Sequence, residues 1–173
     1  MTGHVHEDTI NGDPESVCCL LAQHKATRVY PRARGSWILG ADTLVVSDKE
    51  ILGKPEDNEQ AMHMLRLLSG KAHRVVTGFC ILNPSGVLAL SESVVTRVRV
   101  KRLSRQEIDA YVRTGEPHGK AGGYAIQGIG SFMVEGISGS YTNVVGLPLC
   151  ALIKALVSTG ALKSFPIQAS PNP

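Results

Sequence analysis

With 173 residues, 43% of them hydrophobic, and a mean hydropathy near zero, the chain has the material for one domain that buries roughly two-thirds of the surface of its unfolded form. No apolar run approaches the roughly 20 residues that span a bilayer, and Met1-Thr2-Gly3-His4-Val5-His6-Glu7-Asp8 lacks a basic stretch leading into an apolar one, so a membrane or secreted protein is not indicated and a cytoplasmic one is expected. The formal net charge of +3 is modest. The densest basic run, Arg97-Val98-Arg99-Val100-Lys101-Arg102, alternates as one solvated strand face does, so it argues for no nucleic-acid groove.

Asp13 and Pro14 open a predicted helix carrying Val17, Leu20, Leu21 and His24 at helical spacing and ending near Tyr30-Pro31. Cys18 and Cys19 point to different sides of that helix. With Cys80 and Cys150 distant and no C-x-x-C pair, the four cysteines read as reduced thiols. Trp37 to Leu39 and Leu44 to Val46 read either as two strands separated by a turn at Asp42-Thr43 or as one strand running through it. Ser47-Asp48-Lys49-Glu50 follows as a hairpin turn.

Asp57 is the predicted N-cap of a helix with Ala61, Met64, Leu65 and Leu68 on one face, closed by Gly70. Arg74 to Leu82 and Leu88 to Lys101 read as an antiparallel strand pair across Asn83-Pro84-Ser85-Gly86. Ser104-Arg105-Gln106-Glu107 is a capping box that opens a helix with Ile108, Tyr111 and Val112. A glycine-rich segment comes next, then a strand from Phe132 to Ile137, a turn at Ser138-Gly139-Ser140, and a last helix starting at Pro148. The tail after Ser164, with three prolines, is expected to be flexible. There is no internal repeat and no interdomain linker, so residues 1–173 read as a single domain.

Three stretches carry chemistry. Gly40-Ala41-Asp42-Thr43 places a carboxylate after an apolar run, where it can hold Mg²⁺ or Mn²⁺ or take a proton from water. Gly53-Lys54-Pro55 sets a lysine between a residue with no side chain and one with a stiff backbone, which suits a cation aimed at a fixed phosphate. Lys120 to Gly128 adds a second lysine, bare glycine amides that let a ligand approach the main chain, and Gln127 as an amide able to read a base edge. The histidines at 4, 6, 24, 63 and 73 lack the spacing of a zinc site. G-x-S-x-G, a Walker lysine loop and H-E-x-x-H are all missing, which removes common hydrolase alternatives.

In order, Gly40-Ala41-Asp42-Thr43, Gly53-Lys54-Pro55, Leu68-Ser69-Gly70-Lys71-Ala72-His73, Thr77-Gly78, Tyr111-Val112, Gly115-Glu116-Pro117, Lys120-Ala121-Gly122, Ile126-Gln127-Gly128 and Asn143-Val144-Val145-Gly146-Leu147-Pro148 resemble the Maf family of nucleoside triphosphate pyrophosphatases. The resemblance spans residues 7–158. It implies an α/β Maf/ITPase-like fold with a mixed sheet and two lobes around a nucleotide cleft. It also implies metal-dependent hydrolysis of a nucleoside triphosphate, dTTP, UTP or a modified pyrimidine nucleotide, to the monophosphate and pyrophosphate. By the same resemblance Asp42 is the catalytic acid and a metal ligand, Glu7 a second ligand of Mg²⁺ or Mn²⁺, Lys25, Lys54 and Lys120 hold phosphates, and Thr43 and Gln127 govern base choice. The sequence leaves the oligomeric state open, a homodimer among the options.

Two departures from the family pattern stand out. Its N-terminal strand, helix and Ser-x-Ser-Pro-Arg-Arg loop find no match here, and Gly119 replaces an aspartate before the lysine. The first departure raises the alternative of a nucleotide-binding or cell-division regulatory protein without turnover.

Overall fold

The computed structural model describes residues 12–48 and 50–166. Its centre is a five-stranded antiparallel sheet in the order β2-β1-β3-β4-β5, formed by β1 (Ile38–Ser47), β2 (Glu50–Leu52), β3 (Ala72–Leu82), β4 (Leu88–Val100) and β5 (Val134–Ser138). The helices are α1 (Pro14–Val29), α2 (Asn58–Leu68), α3 (Arg105–Arg113), α4 (Tyr141–Val145) and α5 (Leu149–Ser158). The α/β class expected from the sequence is thus present, although every strand pair among the described residues is antiparallel rather than mixed. No helix of the described residues is long and apolar enough to cross a membrane. The flexible tail expected from Ser164 onward falls largely on residues 167–173, which lie outside the described residues.

Of the two readings of residues 37–46, one continuous strand is correct: β1 runs through Asp42, pairing with β3 from Ile38↔Leu82 to Val46↔Arg74. Because a strand's side chains alternate, Gly40, Asp42, Leu44 and Val46 share one face, and Ala41, Thr43 and Val45 the other. The first face receives α1. There Val17, Cys18 and Leu21 pack on Leu44, Val46 and Val76, while Ala22 and Ala26 pack on Ile38, Cys80 and Leu82. This corrects the helix face read from the sequence, since Leu20 is 59% exposed and His24 faces solvent. The buried side is built from smaller residues.

Small residues are needed because the helix lies almost on the strands. A Cβ placed on Gly40 would sit 2.3 Å from the Ala22 carbonyl oxygen, and one on Gly78 2.4 Å from the Cys18 carbonyl carbon. The Cys18 thiol donates to the carbonyls of Asp42 (2.9 Å) and Val76 (3.2 Å), and its sulfur accepts from the Gly78 amide at 3.1 Å. Burial pushes that thiol up to about 12, so it stays protonated and serves as a structural donor. All four cysteines are free.

On the opposite face two groups of elements divide the sheet. Helices α2 and α3 pack with Val45, Val75, Val98 and Val100 into the largest apolar cluster, and α5 packs through Leu152 and Ala155 on Phe79 and Ile81. Helix α2 is capped by Asp57, whose carboxylate accepts from the Gln60 amide at 2.8 Å. The capping box of α3 forms as its sequence predicts, with Ser104 and Glu107 bonding reciprocally. The strand expected from Phe132 begins at Val134, because Ile129–Met133 coil into a 3-10 turn. The turn expected at Ser138-Gly139-Ser140 instead leads into α4, with Ser140 as its N-cap.

Candidate active site

A cavity of about 580 Å³ opens on the sheet face between those two groups, and Asp42, Thr43, Lys54, Lys120 and Gln127 all line it. Its volume lies within the range of small-molecule sites. Thr43 reaches it directly from the sheet. Asp42 borders it at the edge of β1, where β2 pairs only with Val45 to Ser47 and no described strand covers the Asp42 side, although its carboxylate turns to Lys25 on the α1 face. The Asp42 carboxylate, with its side chain only 11% exposed, is held through Oδ1 by the ammonium group of Lys25 on α1. Among the described residues its Oδ2 carries no hydrogen bond.

Lys25 therefore stands apart from the other lysines. The resemblance makes it a phosphate ligand, whereas the structure places its charge on Asp42 and outside the residues that line the cavity. Lys54 and Lys120 are both exposed, and their segments are tied together by a bond of 2.9 Å from the Gly122 amide to the Gly53 carbonyl. Gly122 makes that crossing with φ +70, and a Cβ on it would lie 2.9 Å from Val45 Cγ1. Only glycine suits both the backbone angle and the contact.

Glu116 is the site residue that sequence reasoning left unassigned. Its carboxylate accepts from the Tyr111 hydroxyl (2.7 Å) and from the Ile129 (2.8 Å) and Gly130 (2.7 Å) amides, clamping the far end of the glycine-rich segment that carries Gln127. Burial alone would raise the Glu116 carboxyl, but the Gly130, Tyr111 and Ile129 donors outweigh it and hold the group below its usual range. Gly128 accommodates the clamp, since a Cβ there would come within 1.9 Å of Glu116 Oε1. The segment's middle is anchored by Tyr124, whose hydroxyl lies 2.8 Å from Nε2 of the buried His73. Burial drops the His73 imidazole to about 4, so it is neutral near pH 7.

The floor of the cavity is cross-linked by hydroxyls. Thr43 and Thr77 lie 2.9 Å apart through their Oγ1 atoms, and Thr77 donates to the Asn143 main-chain carbonyl at 3.1 Å. Asn143 is fully buried in α4, its Nδ2 donating to the Val75 carbonyl (3.0 Å) and Thr96 Oγ1 (2.9 Å). Asn143 and Thr77 fall within stretches singled out in the sequence, yet nothing in the sequence indicated that they meet.

A divalent cation fits the donors present in one particular way. No group of three or more His, Cys, Asp or Glu side chains among the described residues converges as an all-protein cage. Mg²⁺, however, is usually held by one or two carboxylates together with substrate phosphates and water, and Asp42, which borders the cavity, has a carboxylate whose Oδ2 carries no hydrogen bond among the described residues. Glu7, the second ligand implied by the resemblance, lies outside the described residues.

An α/β fold with a cavity bordered by a tethered carboxylate, two lysines and a glycine-rich segment offers cations and main-chain amides of the kind a small anionic ligand needs. Comparison with known proteins narrows this. The chain matches the Maf-like protein family over residues 1–159, and it belongs to that family. It is 45% identical to a dTTP/UTP pyrophosphatase of Syntrophotalea carbinolica over 93% of this chain and 72% of the relative. It is 49% identical to one of Geobacter metallireducens over 91% and 83%, and 51% identical to one of Citrifermentans bemidjiense over 82% and 74%.

Proposed function

We propose that this chain hydrolyses pyrimidine nucleoside triphosphates of the dTTP and UTP kind to the monophosphate and pyrophosphate. The observation that carries the reading is the gathering of Asp42, Thr43, Lys54, Lys120 and Gln127 on one cavity in a chain so close to relatives named for that activity.

The triphosphate lies against Lys54 and Lys120, whose charges offset the negative charge that passes to the leaving group. Thr43 and Gln127 face the base. Water adds to the α-phosphorus as the bond between that phosphorus and the α–β bridging oxygen breaks, and pyrophosphate departs with the bridging oxygen. Asp42 orients this water and accepts its proton, while Lys25 keeps the carboxylate in place through Oδ1. Asp42 and Glu7 would hold a Mg²⁺ or Mn²⁺ ion, which would supply Lewis-acid polarisation of the phosphate oxygens. Electrostatics supplies most of the rate, because phosphoryl transfer depends on placing cations against developing negative charge.

A panel of nucleoside triphosphates incubated with Mg²⁺ or Mn²⁺ and assayed for pyrophosphate checks the proposal. UTP or dTTP is expected to be turned over ahead of purine nucleotides. Binding of these nucleotides with no pyrophosphate formed would select the non-catalytic alternative instead.

A further inference from the structure

The hydroxyls beneath Thr43 form a chain whose protons can be assigned. Each threonine hydroxyl has one proton to give, and a main-chain carbonyl can only accept. Thr77, fully buried, lies 3.1 Å from the Asn143 carbonyl, so its proton is committed there. The 2.9 Å contact between Thr43 and Thr77 must then use the Thr43 proton. The other neighbour of Thr43 Oγ1, the Gly146 carbonyl at 3.5 Å, is also an acceptor. Every partner of Thr43 among the described residues therefore draws its proton into the protein, and only lone pairs remain for the cavity.

The acceptor end of that chain is itself fixed. The Asn143 carbonyl is held over Thr77 because the Asn143 side chain is bonded to the Val75 carbonyl and to Thr96, and Thr96 exchanges hydrogen bonds with the main chain of Ser140 (3.2 and 3.1 Å). Helix α4 thus cannot turn its carbonyl away without breaking several buried bonds at once.

We infer that Thr77 is a positioning residue that makes Thr43 a pure acceptor and thereby selects bases with a ring N–H. This rests on the proposed reading of Thr43 as a base contact. Uracil and thymine present N3–H, a donor that pairs with a lone pair of Thr43. Cytosine presents an unprotonated N3, so two acceptors would face each other in a partly desolvated site, and leaving a polar group unpaired is more costly than the bond is favourable.

The test is calorimetric titration with UMP and CMP, which carry the base but undergo no turnover, on wild type, Thr77→Val and Thr77→Ser. Wild type is expected to prefer UMP. In Thr77→Val the Thr43 proton loses its 2.9 Å acceptor and keeps only the Gly146 carbonyl at 3.5 Å, so it can turn to cytosine and the preference falls roughly three- to tenfold, while Thr77→Ser retains it. A purely structural role for Thr77 would lower stability and leave the ratio alone. Equal binding of UMP and CMP by wild type, binding of neither, or an unchanged ratio in Thr77→Val overturns the inference. Should Thr77→Val fail to fold, wild type titrated with N3-methyluridine monophosphate decides. Weaker binding than UMP is expected, and equal binding refutes the idea. Absence of pyrophosphate release from UTP, measured separately, would count against the proposed reaction and leave the base preference to be judged on the titrations.

Discussion

Replacing Gly40 by alanine tests whether the packing of α1 controls the site. The new Cβ would lie 2.3 Å from the Ala22 carbonyl oxygen and 2.9 Å from Ala22's neighbour one turn on, Ala26 Cβ, against about 3.4 Å for ordinary contact. The main-chain atom has no rotamer to change, so α1 must move by about 1 Å, the difference between 3.4 and 2.3 Å. Overpacking of this kind costs about 1–3 kcal/mol, which for a domain of this size lowers Tm by roughly 2–4 °C for each kcal/mol. The same shift carries Lys25 away from Asp42. A misplacement of about 1 Å in a catalytic arrangement can lower the rate about a hundredfold. Thermal unfolding and pyrophosphate release from UTP are to be measured on the same preparation. A variant with unchanged Tm and rate would refute both the close packing and its link to the carboxylate.

Two further outcomes follow from His73 and Glu116. His73 has its folded pKa lowered to about 4 from 6.5, so it charges more readily in the unfolded chain; stability is full above the unfolded value and is lost as pH falls through 6.5 toward 4. At pH 5 the loss is about 2 kcal/mol, from 1.36 kcal/mol for each unit of the 1.5 between 6.5 and 5, and urea unfolding at pH 7 and pH 5 should show a smaller drop in His73→Leu than in wild type. In Glu116→Ala the Ile129 and Gly130 amides lose their acceptor. Hydrogen exchange at residues 127–130 should accelerate, the fold should lose about 1.5–3 kcal/mol per lost bond to a charged group, and the KM for UTP should rise; unchanged exchange would count against the clamp.

Local signals were legible wherever a single segment decides its own shape. Asp13 and Pro14, Asp57 and the Ser104–Glu107 capping box announced three helices because caps act within one turn. The hairpin at Ser47-Glu50 was equally plain, and Asp48 takes φ 54 there. Helix α4 was missed because Thr142, Val144 and Val145 are poor helix formers, and its five residues are held by the Ser140 cap and the buried Asn143 instead. The misread face of α1 has a tertiary cause. Gly40 and Gly78 bring the sheet so close that small residues are buried and Leu20 is not, and no pattern within residues 14–29 reveals which strand residues lie beneath.

The site divides in the same way. Asp42, Lys54, Lys120 and Gln127 stood in stretches whose composition suggests polyanion binding, and one cavity gathers them. The Lys25 contact to Asp42, the Glu116 clamp and the Thr43–Thr77–Asn143 chain join residues 17, 13 or 14, 34 and 66 positions apart. Such contacts depend on how elements cross, so spacing along the chain carries little trace of them.

The most direct measurement is pyrophosphate release from UTP and dTTP in Mg²⁺ by wild type and Asp42→Asn, with the fold of each verified. Wild type is expected to turn over both nucleotides and the variant to lose roughly a hundredfold or more, the lower end of what a general base contributes. Equal rates in the two proteins would contradict it.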